Sequence, residues 1–525
     1  MRAPRIRAVP DRLLDVVLGA SPRIDVLALP VRPGEEGPTA SDEAEDVLRQ
    51  LGVDLGQVVT LEGVKASAGE LTRVPWAPGP DAAPVDRVVL VGVGDGETAA
   101  VRTAAAALAR TLRGRDRLVT TLGGEGGAAA QAVAEGLVLA SYTPPRSGVG
   151  EGPKPPVRRV DVVGRPGRGD LGADLRADLG ADLARGTTVA EATVLARDLA
   201  NTPSSTKGPS WVAGRARRAA LEVGLSCTVR DHRDLAAEGF GGLLAVGGGA
   251  HRPPRLVEVG WTPPPHDGTR RAPHVVLVGK GVTFDSGGLS LKPREAMVPM
   301  KTDMTGAGVV LAVVRGCARL GLPVRVTGLL PLAENAFGGS SYRPGDVVRQ
   351  YGGRTVEIRN TDAEGRIVLA DALAYADATL DPDVMVDVAT LTGAATLGLG
   401  RGHAALFTDD DRLASALREA GERSGEQVWR LPLADDYRAT LDSDVADLCH
   451  IPTVPGVGAG AVVAALFLRE FTGDRRWAHL DIAGPARSER DNGVVSRGGT
   501  GFGARLLLRW LETPALTPTH VEEDT

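Results

Sequence analysis

The chain has 525 residues, with 60 lysines and arginines against 66 aspartates and glutamates and a formal net charge of −6. That length allows two to four domains and at least one sizeable core, and the charge balance lacks the basic excess of a nucleic-acid coat. Hydrophobic residues at 43% and charged residues at 24% make an ordinary globular composition, so disorder throughout and a long coiled coil are both excluded.

The opening MRAPRIRAVPDRLLDVVLGA carries arginines like a secretory leader, but Asp11 and Asp15 interrupt the apolar stretch, so it reads as a mature N-terminus. No uninterrupted apolar run approaches the ~20 residues a membrane span needs, so no membrane partner is expected. Cys227, Cys317 and Cys449 sit at no metal-ligand spacing, which argues against a disulfide framework or a zinc ribbon and for a reducing, cytoplasmic location.

Asp86 to Gly96 (DRVVLVGVGDG) reads as a strand ending in glycines, followed by an alanine-rich helix. Gly92, Gly94 and Gly96 are too closely spaced for a dinucleotide fingerprint, so a plain strand-to-helix turn is expected. After a Pro-, Gly- and Arg-rich stretch, Gly169 to Gly186 repeats Asp-Leu every four residues. That period puts Leu171, Leu175, Leu179 and Leu183 on one face of a connecting helix, with Asp170, Asp174, Asp178 and Asp182 solvated beside them.

From about Thr187 onward, short β-branched runs alternate with helical patterns. Strands are expected at His274 to Val278, Val324 to Leu330 and Val384 to Val388, and helices at Gly306 to Leu320, Ile367 to Ala378 and Ala459 to Phe471. This predicts an α/β chain of two domains: a smaller N-terminal α/β domain over 1–165, a linker with the start of a connecting helix over 166–186, and a larger C-terminal catalytic α/β domain over 187–525. The larger domain is expected to have a mixed, largely parallel central sheet flanked by helices. Ligands then belong at the carboxyl ends of its strands.

Ionisable residues crowd into two glycine-rich segments just after apolar strands. GKGVTFDSGGLSLK (Gly279 to Lys292), continuing to MKTDMTGAG, and NTDAEGR (Asn360 to Arg366) supply Asp285, Asp303, Asp362 and Glu364 with Lys280, Lys292 and Arg366. Four carboxylates converging in a cleft repel one another unless cations are present, and two divalent ions match their charge. A coordinating Lys280 must then be neutral, while Lys292 and Arg366 stay charged. Such a site turns water into a nucleophile near neutral pH, and the remaining cations stabilise the oxyanion formed when an acyl carbon is attacked. Amide hydrolysis is the chemistry expected. Taken singly, Asp362 also suits a helix cap.

These segments resemble the signatures of the leucyl (cytosol) aminopeptidase family, dinuclear metal exopeptidases. The likeness continues through ARDLANTPSSTKGP, PLAENAFGG, RPGDVV, ATLTGA, SDVADL, ALFLREFTG and WAHLDIAGPA, covering nearly all of residues 187–510. The resemblance implies that Lys280, Asp285, Asp303 and Glu364 bind one metal ion and Asp285, Asp362 and Glu364 a second, Mn or Zn being the expected metals. It further implies that Lys292 steadies the oxyanion, that Arg366 holds a bicarbonate acting as general base, and that a metal-bridged hydroxide is the nucleophile. Met300, Thr390, Leu391 and Gly393 fall where the family lines its substrate pocket. Short peptides with a free N-terminus are the implied substrates and a homohexamer the implied assembly. AFGGSSY departs from the pattern as an altered loop, and Thr302 and Thr305 vary positions outside the implied ligands.

Two other readings compete. FDSGG looks like a serine-peptidase nucleophile segment, but that enzyme class needs a placed His and Asp that the histidines here do not supply, and no H-E-x-x-H occurs. The second is a DNA-binding or scaffolding hexamer with secondary or lost peptidase activity, resting on arginine-rich stretches such as Arg110 to Arg117. With a net charge of −6, nucleic acid is not an expected partner.

Overall fold

Runs such as VLALPV and HVVLVG are buried at every position, the signature of strands covered by helices on both faces. The computed structural model describes residues 3–75, 84–146, 148, 152–164, 172–265 and 271–513, without the side chains of 172–177. Two compact units result, Met1–Glu191 with Arg490–Ser496, and Ala192–Glu489 with Arg497–Thr525. Helix Gly172–Asn201 contributes residues to both.

In the first unit, strands β1 (Arg5–Val9), β2 (Val26–Val31), β3 (Leu71–Arg73), β4 (Val88–Gly92), β5 (Arg117–Thr120) and β6 (Arg159–Val163) form one sheet in the order β1-β6-β5-β2-β4-β3. All neighbours are parallel except β3 with β4. Alternation along β2 sends Leu27, Leu29 and Val31 to the core under helices Leu13–Leu18 and Asp42–Gln50, and Val26 and Ala28 to the core under Thr98–Thr111 and Gly127–Ala140.

The glycines after β4 serve a turn. A Cβ on Gly92 would stand 2.2 Å from the Ser67 carbonyl oxygen, and Gly94 and Gly96 take positive φ. In the Asp-Leu repeat, Leu179 and Leu183 are buried as expected, whereas Asp182 is not simply solvated. Its carboxylate accepts from the Gly127 N–H (2.5 Å) and Gln131 Nε2 (3.0 Å), tying down the start of helix Gly127–Ala140. Leu171, Asp170 and the side chains of Asp174 and Leu175 lie outside the described residues. Three of the four arginines at 110–117 are engaged internally. Arg110 donates to the Gly493 and Val495 carbonyls, Arg113 to those of Ser141 and Tyr142, and Arg117 pairs with buried Asp161.

In the second unit, β7 (Ser226–Arg230), β8 (Arg255–Trp261), β9 (His274–Gly279), β10 (Gly281–Asp285), β11 (Arg325–Asn335), β12 (Val347–Arg349), β13 (Thr355–Glu357), β14 (Val384–Ala389), β15 (Ala404–Phe407), β16 (Val428–Arg430), β17 (Leu448–Cys449) and β18 (Arg476–Asp481) follow in chain order. The large sheet runs β16-β15-β18-β14-β9-β11-β8-β7, with β10 also on β11. It is mixed. The β9, β10, β11, β14 and β18 pairings and β15–β16 are parallel; β15–β18, β11–β8 and β7–β8 are antiparallel. The α/β class and the mixed, largely parallel sheet expected from the sequence are those observed.

The expected helices are present at Thr305–Leu320, Glu364–Tyr375 and Gly460–Arg469. The second has the expected length but begins and ends three residues earlier than its periodicity suggested, a π turn following over Ala376–Leu380. Helical residues Arg294–Leu320 are long and apolar enough by composition to cross a membrane, yet 72% of their apolar window is buried inside the chain, as in a core helix.

One irregularity positions the site. β9 pairs with both β11 and β14, but after Gly279 its continuation β10 stays on β11 while β14 runs on beside β18. The two strands part at Lys280, whose N–H still reaches the Val388 carbonyl (3.0 Å). A cleft at the carboxyl ends of parallel strands opens there.

Candidate metal centre

Four segments converge on this cleft. The end of β10 carries Asp285, the turn before helix Thr305–Leu320 carries Asp303, the loop before helix Glu364–Tyr375 carries Asp362 and Glu364, and the end of β14 leads into Thr390. Lys280 points into their midst, its Nζ 2.9 Å from Asp303 Oδ2, 2.8 Å from Glu364 Oε1 and 3.1 Å from the Thr390 carbonyl. Room for that side chain depends on Gly365, where a Cβ would lie 2.7 Å from Lys280 Nζ. Lys292 Nζ forks to Asp285 Oδ2 (2.8 Å) and to Asp362. Each ammonium therefore sits between two carboxylates.

Asp285, Asp303 and Glu364 offer oxygen atoms within 4.8 Å of one another and are all buried. Glu364 Oε2 is buried with no hydrogen-bond partner. The electrostatics show strain in the cluster. Burial pushes Asp303 well above the usual carboxylate range, against the pull of Lys280 and with further push from Glu364 and Asp285. Burial and Glu364 also raise Asp285, to about 6 despite Lys292, and burial raises Asp362. Glu364 goes the other way, since Lys280 and Lys292 together outweigh its burial. For Lys280 burial acts downward, but Asp303, Glu364 and Asp285 outweigh it and hold the ammonium charged. The two lysines cannot compensate four carboxylates, and an unpaired buried oxygen beside two raised acids is the environment that divalent cations fit.

Arg366 is buried and donates one Nη1 bond, to the His450 carbonyl (2.7 Å), while its Nε has no partner. Burial depresses it to about 10. Among the described residues it makes no ion pair, which leaves a guanidinium able to take an oxyanion.

The substrate-pocket residues expected from the sequence divide. Thr390 joins the cluster, its Oγ1 donating to Asp303 Oδ1 (2.7 Å), and Met300 lies on the turn whose carbonyl accepts the Asp303 N–H (3.2 Å). Leu391 commits its N–H to Asp481 Oδ1 (3.1 Å), and its half-buried side chain packs against the hydrophobic core. Gly393 begins helix Gly393–Leu399, is exposed, and makes no bond to the cluster. Ser286, the nucleophile of the serine-peptidase reading, is held by the Asn335 carbonyl (2.9 Å) and the Gly288 N–H, with no histidine among its partners.

Several residues that position the site lie in segments that carry the family resemblance, but their own roles were not legible from the sequence. Asn335, fully buried, donates to both Asp285 Oδ1 (2.8 Å) and the Thr361 carbonyl (3.0 Å), linking two carboxylate-bearing loops. Tyr342, from the altered AFGGSSY loop, donates its hydroxyl to that same carbonyl (2.9 Å). Asp481 gathers the N–H groups of Leu391 and Thr392.

Lys207 is wholly buried and donates to the carbonyls of Leu199 (2.9 Å), Ala200 (2.9 Å) and Lys301 (2.5 Å), tying the end of helix Gly172–Asn201 to the turn that carries Asp303. Burial and the Lys301 charge push it down to about 7, yet only the ammonium has three protons for three acceptors, so the charged form fits the geometry. Lys207→Met strands these carbonyls, and a loss of roughly 3–5 kcal/mol is expected in urea unfolding.

His450 Nε2 lies 2.8 Å from the Asn360 carbonyl, and Nδ1 faces the Arg359 N–H (3.4 Å). A neutral ring protonated at Nε2 satisfies these two contacts, whereas the Glu357 carbonyl, 3.0 Å from Nδ1, is satisfied only by a proton on Nδ1. Burial and Arg366 hold its pKa down to about 4. A histidine depressed on folding contributes stability that is complete above its unfolded value of about 6.5 and lost as pH falls through about 4. Between pH 7 and 4 this amounts to about 3 kcal/mol. The urea midpoint should therefore fall more steeply on acidification in the native protein than in His450→Gln.

Comparison with known proteins supplies the family. The model of the cytosol aminopeptidase family catalytic domain matches residues 194–508, and that of its N-terminal domain residues 28–146. The chain belongs to the cytosol aminopeptidase family. It is 44% identical over 504 residues to a "Probable cytosol aminopeptidase" of Leifsonia xyli subsp. xyli, spanning 93% of this chain and 95% of that one. Among solved structures it is similar to the bottromycin maturation enzyme BotP in complex with Mn, at 40% identity and TM-score 0.79, covering 94% of this chain and 99% of the other. It is also similar to the cytosol aminopeptidase of Coxiella burnetii, at 34% identity and TM-score 0.75, covering 94% and 98%. These likenesses favour a peptidase over the DNA-binding or scaffolding alternative.

Proposed function

We propose that this chain is a metal-dependent aminopeptidase that releases N-terminal residues from short peptides. The observation that carries this reading is the buried cluster in which Lys280 and Lys292 each bridge two carboxylates while Glu364 keeps an unpaired oxygen. Lys280, after losing the proton that the carboxylates hold on it in the metal-free cluster, would join Asp285, Asp303 and Glu364 in holding one divalent ion, and Asp285, Asp362 and Glu364 would hold the other. When bound, the ions supply a water acidic enough to attack and a Lewis acid for the carbonyl. Mn or Zn suits an oxygen-rich set with one amine, and Mn is the ion named with BotP.

The residues of the chain do the rest. Lys292, freed from Asp285 and Asp362 once cations neutralise them, points its ammonium at the developing oxyanion. Arg366 holds a small oxyanion such as bicarbonate, placed to take a proton, and its unpaired buried Nε supports that role. Met300, Thr390, Leu391 and Gly393 line the pocket for the N-terminal residue. The division 1–165, 166–186 and 187–525 and a cytoplasmic homohexamer complete the reading, and sedimentation of the purified chain tests the assembly.

The function is tested by stripping the metal, restoring Mn or Zn, and assaying leucine amide with a free and an acetylated N-terminus. Activity is expected only with metal and only on the free amine, because the α-amine contributes to binding at the metal site. Equal turnover of the acetylated substrate would overturn the proposal.

A further inference from the structure

The first unit contains a cavity that peptide hydrolysis leaves unused. It lies at the carboxyl ends of the parallel strands β2, β4 and β5, the edge where open α/β sheets take ligands. Its volume is about 190 Å³, well under the ~300–1,000 Å³ of pockets for drug-sized molecules, so it suits a ligand the size of one amino acid.

The lining combines three chemistries. Val93, Val101 and Leu122 form an apolar wall, Arg32 brings a cation and Glu125 an anion. The side chains of Arg32 and Glu125, both exposed to solvent, line this cavity and form no ion pair with each other or with any other described residue. Gly96 leaves space for the guanidinium, since a Cβ there would stand 3.0 Å from Arg32 Cζ.

We propose that this cavity binds a free aliphatic α-amino acid. Its carboxylate pairs with Arg32, which suits planar bidentate recognition, its ammonium pairs with Glu125, and its side chain packs on Val93, Val101 and Leu122. Recognition of the zwitterion follows from the cavity alone. Its identification with the amino acid the enzyme releases rests on the aminopeptidase reading.

The test is equilibrium dialysis of radiolabelled L-leucine against the full chain carrying Glu364→Ala, which removes product binding at the metal site. One leucine per chain is expected, weakened at least about tenfold by Arg32→Met and measurably by Glu125→Gln. Leucine amide, lacking the carboxylate, and 4-methylpentanoate, lacking the amine, should not compete. The Arg32→Met holoenzyme should hydrolyse peptides normally without added leucine. If Glu364→Ala does not fold, the same comparison is made on holoenzyme, with two leucines per chain falling to one in Arg32→Met. No bound leucine outside the metal site, binding indifferent to Arg32→Met, or displacement of leucine by AMP would overturn the proposal. Peptidase activity surviving in Glu364→Ala would instead count against the metal-site reading.

Discussion

Glu364→Ala should leave a folded chain that binds neither divalent ion, with kcat/KM reduced by roughly three orders of magnitude or more. Glu364 is 1% exposed, faces Lys280 at 2.8 Å and keeps its second oxygen unpaired, so it is the carboxylate best placed to be shared. It opens helix Glu364–Tyr375, where alanine is an equally good helix former, so the local structure survives the change. Asp303→Asn gives a graded comparison. Asp303 belongs to only one proposed ligand set, and burial already pushes it toward the protonated form. The amide is nearly isosteric with that form, so metal-free stability should change by only about 1 kcal/mol or less. Metal analysis should then read two ions per native chain, one in Asp303→Asn and none in Glu364→Ala. Added metal should raise the Tm in the same order, since a ligand stabilises only the state that binds it. Two ions retained in Glu364→Ala would refute the assignment.

Lys292→Ala is expected to separate metal binding from turnover. Its ammonium lies between Asp285 and Asp362 and touches neither Asp303 nor Glu364 at ion-pair distance. Removing it takes away a cation that competes with metal for those carboxylates, so metal affinity should hold or rise. The charge aimed at the oxyanion is lost, and a single such stabiliser is worth roughly 100- to 1,000-fold in kcat. Full occupancy by metal analysis with kcat reduced by that factor, and KM for leucine amide little changed, is the expected pattern. Loss of metal in this variant would move Lys292 from oxyanion stabilisation to holding the site together.

The chemistry-bearing residues were legible because they lie in local patterns. Asp285 stands beside the glycines that turn the chain after β10, Lys280 immediately follows β9, and Asp362 and Glu364 precede a strongly patterned helix. Apolar runs bounded by glycine report strands buried on both faces, so the α/β class and the positions of these residues at strand ends follow from short-range information. The Asp-Leu repeat shows the limit of this reasoning. Its period correctly buries Leu179 and Leu183, but nothing in it announces that Asp182 holds the N-terminus of a helix more than forty positions earlier.

The supporting residues belong to that second category. Asn335 meets Asp285 across 50 positions, His450 meets Asn360 across 90, Asp481 meets Leu391 across 90, and Lys207 reaches Lys301 across 94. Each is an ordinary polar residue in its own segment and gains a role only when folding buries it and leaves a particular acceptor or donor within reach. The amino-acid order thus determined the element types, the approximate strand ends and the set of acids and lysines available for chemistry, because these depend on neighbours within a few residues. The parting of β10 from β14 at Lys280, the fork of each ammonium between two carboxylates, and the unpaired oxygen of Glu364 were decided by tertiary packing alone, because burial and long-range hydrogen bonding come into existence only with the fold.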